Sequence, residues 1–157
     1  MKFKEFICFD ATIPVLKTTD RDGAIGELIL ALVAAGKLTA AQAKDVTKAV
    51  IKRENEASTG MGKGVAVPHV KHPAAKHVIG AVGLSAEGID FSALDEQPVY
   101  SVILLISPVD NPDKHLQAME NVFKHLQKER FRKFLRQCRT PAELEDLLNE
   151  ADEKPSW

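Results

Sequence analysis

Apolar residues recur along this chain with two periods, and the change from one to the other divides it into three regions. Ile25, Leu28, Ile29, Leu32 and Val33 form one stripe at helical spacing. Thr19 with Asp22 three residues on reads as a capping box before that stripe, Asp standing in for the usual Glu or Gln. Gly36 supplies a left-handed end to the helix. Thr39 and Gln42 make a second capping box, and Ala43, Val46, Ala49 and Val50 predict a second helix running to about Glu54. A short connection makes the two helices antiparallel neighbours. Ahead of them, Phe6–Leu16 alternates loosely around Pro14 and predicts a short edge element.

The middle of the chain loses the helical period. Val65–Val67, Ile79–Ser85 and Val99–Ser107 are apolar runs bounded by turn residues, and each predicts a strand. Val102–Ile106 is apolar at consecutive positions, which predicts a strand covered on both faces. Ser85–Gln97 predicts a turn pivoting on Gly88 and Asp90. Helical spacing then returns. Asn111, Pro112 and Asp113 read as N-cap, first-position proline and first-turn acid. The helix they open buries Leu116, Met119, Val122, Phe123 and Leu126, with His125 on its polar, solvated side. Arg130–Gln137 predicts a short amphipathic helix with Phe131, Phe134 and Leu135 inward. Thr140, Pro141 and Glu143 open a last helix that buries Leu144, Leu147 and Leu148, leaving a frayed tail from Ala151 to Trp157.

Helices before and after a set of strands predict an α/β sandwich, a mixed β-sheet flanked by helices on both faces. No repeat, low-complexity tract or linker divides the 157 residues, so a single domain of 1–157 with a core of about 6–149 is expected. Composition narrows the classes. With 45% hydrophobic residues and a net charge of −1, the chain is neither disordered nor basic enough to point to nucleic acid. Cys8 and Cys138 have neither metal nor redox spacing, which suits reduced thiols in a cytosolic fold. Charged residues within Met1–Asp10 rule out a signal peptide there, and no run is apolar enough to insert in a bilayer. A cytoplasmic protein is expected.

The candidate chemistry lies between Arg53 and His69. Gly60, Gly62 and Gly64 give a backbone that can approach a ligand closely, Ser58 and Thr59 add hydroxyls, and Arg53 offers a planar fork for phosphate or carboxylate. Pro68 stops the strand that follows and delivers His69 at its end. An imidazole held beside anion-binding groups is a candidate phosphoryl acceptor, its pKa being near working pH. The plain alternative is a turn followed by a surface histidine, because the run has neither the Lys-Ser/Thr ending of a P-loop nor a full dinucleotide fingerprint. His115, one turn into its helix, is a second candidate. The positive end of the helix dipole there disfavours imidazolium, so a neutral ring can bond a phosphoryl oxygen or orient His69, or it can simply cap its helix. His69, His72 and His77 match no zinc spacing, and no metal or other cofactor is expected.

The segment from Ser58 to His69 resembles the phosphorylation-site motif of the fructose/mannitol-type enzyme IIA domains of the bacterial phosphotransferase system, a family that includes the nitrogen-regulatory IIA proteins. Arg53–Glu54, Gly88-Ile89-Asp90-Phe91, Asp95, Pro98–Val99, Pro108 and His115–Leu116 agree in order and spacing. The resemblance extends from about Phe6 to Asn149. It implies that His69 accepts a phosphoryl group from an HPr-like carrier, that His115 assists, and that Arg53 supplies fixed charge. It leaves two roles open: a regulatory, nitrogen-type protein, or the IIA component of a fructose/mannitol-type uptake system that passes phosphate to a IIB subunit. The free-standing chain favours the first. One departure stands out. Val70 follows His69 where the family often has glycine, and Lys71, His72, Lys76 and His77 make the rim basic, a charge that would either weaken docking of a positively charged donor or stabilise a phosphate bound at His69.

Overall fold

The computed structural model describes residues 1–154. Two short 3-10 turns (Phe3–Glu5 and Phe9–Ala11) precede α1 (Arg21–Ala34) and α2 (Ala40–Glu56). Five strands follow: β1 (Gly60–Gly62), β2 (Val65–Ala66), β3 (His69–Lys71), β4 (Ile79–Ile89) and β5 (Val99–Ser107). The chain closes with α3 (Pro112–Leu126), α4 (Glu129–Gln137) and α5 (Pro141–Glu153).

β5 is the axis of the sheet. β4 pairs antiparallel along nearly its whole length, from Ile89 opposite Val99 to Ile79 opposite Ile106. The other edge is shared by two short parallel strands, β2 opposite Ser101–Val102 and β3 opposite Leu105–Ser107. β2 and β3 are one strand line interrupted at Val67–Pro68, where proline has no N–H to give; the Pro68 carbonyl still accepts from Leu105 N–H at 3.0 Å. β1 folds back on β2, so the sheet is mixed.

Alternation along β5 assigns the two layers. Ile103 and Leu105 face α3, α4, α5 and Phe3, while Val102, Leu104 and Ile106 face α1 and α2. Residues 102–106 are at most 2% exposed, as a strand covered on both faces requires. The predicted α/β sandwich is the fold found. The outer edge of β4 is covered by the N-terminal segment, through isolated parallel bridges of Ile7 to Gly80 and Ile13 to Gly83. A Cβ at Gly80 would lie 2.8 Å from Ile7 Cδ1, so glycine permits that close approach.

The end of α1 is as expected: Gly36, at φ 78°, closes it while Lys37 N–H donates to Leu32 O at 2.9 Å. Several details differ. The N-cap of α1 is Asp20, whose Oδ1 accepts from Gly23 N–H at 2.6 Å; Thr19 makes no cap. β4 runs on to Ile89, because Gly88 (φ 94°) forms a bulge that lets the strand continue where a turn was predicted. Leu116 and Phe134, expected inward, are 56% and 40% exposed. Ala151 is buried in α5, and Asp152 accepts the N–H groups of Phe3 and Lys4 at 2.7 and 3.0 Å, so the helix reaches Glu153 without fraying. The rest of the predicted tail, Pro155–Trp157, lies outside the described residues.

His125 is the largest departure. It is 4% exposed, with ring centroids 4.8 Å from Phe3 and 5.3 Å from Phe131. Those two rings come from the N-terminal turn and α4, so this side of α3 is covered by segments that its own periodicity does not register. The His125 Nδ1–H donates to Asn121 O at 2.9 Å, and Nε2 has no partner. Burial, with Lys128 and Lys124 nearby, holds its pKa below the ordinary 6.5. The folded state therefore binds less proton than the unfolded one, and stability present above pH 6.5 is lost as the pH falls below that value. Urea unfolding between pH 7 and 5 should show a shallower decline in His125→Leu than in the parent chain; parallel curves would clear His125 of this role.

Candidate active site

Two histidines from opposite ends of the sequence pattern meet where β3 and β5 finish and α3 begins. His69 opens β3 opposite Leu105, and Val70 packs toward α1 and α2, which turns His69 and Lys71 to the α3 side. His115 stands on the first full turn of α3, whose N-cap Asn111 accepts loosely from Lys114 N–H at 3.4 Å. The ring centroids of His69 and His115 are 5.7 Å apart. The crevice beyond strand ends, facing a helix N-terminus, is where α/β sheets bind ligands.

Hydrogen bonding fixes both tautomers. His69 Nδ1 lies 2.8 Å from Val67 O, and since a carbonyl only accepts, Nδ1 carries the proton. The Nε2 lone pair of His69 is thereby left unused. His115 Nδ1 lies 2.6 Å from Ser107 Oγ. Ser107 is fully buried, and its hydroxyl hydrogen is satisfied only by donating to Nδ1. That arrangement puts the His115 proton on Nε2. One ring presents a nucleophilic lone pair and the other a hydrogen-bond donor.

Both rings are held neutral. The His69 pKa lies below 6.5 because the ring is buried, with the Arg53 and Lys71 charges adding to the effect and the Val67 carbonyl and Glu54 opposing it. Burial also lowers His115, followed by the proximity of His69 and Lys71. Lys71 thus acts on both imidazoles. Arg53, at the end of α2, donates from Nη1 to Ala57 O at 3.0 Å, which uses one of its five N–H groups.

The other expected site residues are placed differently. Thr59 is buried, donating from N and Oγ1 to the Glu54 carboxylate, both at 2.6 Å. Ser58 Oγ bonds Phe91 O and accepts from Gly60 N–H at 3.0 Å. These hydroxyls brace the end of α2 against β1, close to His69. The glycine run is not an open loop but the β1–β2 hairpin. Lys63 and Gly64, at φ 59° and 80°, form its two-residue turn, and Gly60 sits where a Cβ would meet Ala93 at 2.8 Å. Gly64 O accepts from Tyr100 and Ser101, four residues from Leu105 along β5, so Gly62 and Gly64 lie about 13 Å from the level of His69. His72 is drawn away to α2 by a hydrogen bond between its Nε2 and the Asp45 carboxylate.

Ser107 and the Val67 carbonyl escaped sequence reasoning, and Lys71 was read only as part of the basic rim. Ser107 carried one signal: it is the polar residue ending the apolar run of β5, on the strand end where ligands gather. Replacing Lys71 by Gln should raise the pKa of both His69 and His115, read from the pH dependence of their ring resonances. In the same spectra neutral His69 should be the Nδ1–H form, and neither ring should charge appreciably until the pH falls below 6.5.

Residues 7–151 match the family described as the phosphoenolpyruvate-dependent sugar phosphotransferase system, EIIA 2. The chain is 33% identical over 133 residues to the fructose-specific EIIA component of Haloferax volcanii, covering 85% of each. To the nitrogen regulatory protein of Bradyrhizobium diazoefficiens it is 30% identical over 148 residues, covering 94% of this chain and 95% of that one. It is also 30% identical over 152 residues to the fructose-specific EIIABC component of Bacillus subtilis, 97% of this chain but only 24% of that longer protein. Among solved structures, nitrogen regulatory protein IIA-Ntr of Neisseria meningitidis superposes with a TM-score of 0.82 at 25% identity, over 92% of this chain and 97% of that one.

Proposed function

This chain belongs to the EIIA 2 family of the phosphoenolpyruvate-dependent sugar phosphotransferase system, and from that premise we propose that it carries its phosphoryl group on Nε2 of His69. The observation that supports this reading is the 2.8 Å bond from Nδ1–H to Val67 O, which commits one nitrogen and leaves the other as the nucleophile. An HPr-like phosphocarrier is the proposed donor. The P–N bond to the donor imidazole breaks as the P–Nε2 bond forms, and the electron pair returns to the donor ring. No proton has to leave His69: Nδ1 keeps its hydrogen, and the Val67 carbonyl stabilises the positive charge that develops on the ring. His115 donates from Nε2 to a phosphoryl oxygen, and Arg53 and Lys71 add fixed positive charge where phosphoryl transfer needs it.

The proposed role is regulatory: a cytoplasmic protein whose phosphorylation state alters its binding to other proteins. The close superposition on IIA-Ntr supports it. Transfer to a IIB subunit of a sugar uptake system is the second reading, favoured by the identity to a fructose-specific EIIA of similar length. Phosphate discharge onto a purified IIB domain separates them.

Incubation with a phosphoenolpyruvate-driven relay should label the chain with an acid-labile, base-stable phosphate, and His69→Ala should abolish the label while retaining the fold. Full labelling of that variant would remove His69 as acceptor. His115→Ala should still accept phosphate but transfer it onward more slowly, by about a hundredfold or more if its donor acts in the transition state. His115→Gln, which keeps a donor, should fall between the two, as single-turnover transfer measures.

A further inference from the structure

A cleft of about 730 Å³ opens at the other end of β5, within the size range of small-molecule sites. The β1–β2 turn, the start of β5 and α4 form its walls, and it lies on the same face of the sheet as His115. Its lining is strongly basic: Lys63, Arg132, Lys133, Arg136 and Arg139 against the carboxylates of Asp95 and Glu129. Among the described residues, none of those five cations forms an ion pair with a carboxylate. Asp95 is occupied by the N–H groups of Lys63 and Gln97, at 2.9 and 3.1 Å.

The cations are held in place although they repel one another. Arg132 and Arg136 stand four apart on α4, a spacing at which like charges destabilise a helix. Arg136 lies over the Tyr100 ring, 3.5 Å from its centroid, and Arg132 donates from Nη1 to Leu126 O at 2.8 Å. Each anchor uses little of a guanidinium's donor capacity and leaves the rest of the fork available. Ser101, 2% exposed, also lines the cleft. A concave site with anchored guanidinium groups that no carboxylate among the described residues neutralises is complementary to a small anion of several charges.

We propose that this cleft binds a small phosphorylated metabolite, with Arg132, Arg136 and Lys133 taking the phosphate oxygens. Planar forks match phosphate geometry two bonds at a time, and an anchored fork loses little freedom on binding. The site is separate from His69, by about 13 Å along β5 from Ser101 to Leu105, and does not depend on the phosphocarrier reading.

The test uses pyrophosphate and ADP as probes and citrate as a carboxylate control, titrated into the full chain and followed by backbone amide resonances. Saturable shifts at Lys63, Gly64, Tyr100, Arg132 and Arg136 are expected, with half-saturation at about 1 mM or below. Lys133→Glu, on the exposed surface of α4, and Arg136→Gln should each weaken binding about tenfold or more, while His69→Ala should bind unchanged. The Lys133 variant keeps the test independent of any loosening of Tyr100 in the Arg136 variant. The proposal is overturned if no probe saturates, if neither substitution weakens binding, if citrate binds as well as both phosphates, or if only a polymer such as single-stranded RNA binds.

Discussion

Burial of β5 on both faces is the constraint from which the rest of the architecture follows. Five consecutive apolar residues, Val102–Ile106, can be kept from water only if both faces of the strand are covered. Each such side chain contributes about 1.5–3 kcal/mol on burial, so leaving one face open would forfeit roughly 3–9 kcal/mol, comparable to an ordinary domain's whole margin of stability. The helices before the sheet cover one face and those after it cover the other. Strand alternation then decides which layer each neighbouring residue meets. His69 points toward α3 because Val70, beside it, points toward α1 and α2.

The interruption at Pro68 converts that architecture into chemistry. A continuous strand would give its backbone groups to the ladder; the break leaves the Val67 carbonyl to accept from the His69 ring instead. A buried imidazole with one nitrogen committed to a carbonyl is neutral at pH 7 and has a defined nucleophilic atom. The second imidazole reaches the same state by a different route, through a buried serine hydroxyl. Two neutral rings of opposite hydrogen-bonding character are thus set side by side by main-chain geometry and one hydroxyl. Neither a metal nor a buried ionic pair is needed to fix their protonation.

Sequence patterning exposed what depends on local spacing. The helices, the capping box at Thr39, the N-cap at Thr140, the left-handed Gly36 and the doubly covered strand were all legible, because each is a relation within a few residues; the Glu143 carboxylate bonds Arg139 N–H instead of closing a box on Thr140. His69, His115 and Arg53 were legible as candidate chemistry; the fold sets the two rings 5.7 Å apart, and the Arg53 charge is felt at His69. What was hidden is what distant segments decide. His125 looked solvated because its own helix has polar neighbours, but Phe3 and Phe131 close over it from segments near either end of the chain. The glycine run looked like a ligand loop because positive-φ capacity does not say whether a turn or a cradle uses it. Here Asp95 and Tyr100 pack against the run and make it a hairpin turn.

The charges around His69 are set to oppose one another, and that balance suits a group meant to be both received and released. Arg53 and Lys71 favour the neutral ring, and the same charges would favour a bound dianionic phosphoryl group. Glu54 acts in the opposite sense, from a buried position where Thr59 supplies two hydrogen bonds that hold the carboxylate in place. On the proposed function, the cations alone would bind the phosphoryl group more tightly, and whatever part of that binding is lost in the reacting state would slow its release. In the proposed phosphocarrier, the Glu54 carboxylate, held by two hydrogen bonds from Thr59 at 2.6 Å, would offset part of that attraction and so limit how strongly the site holds the group it carries.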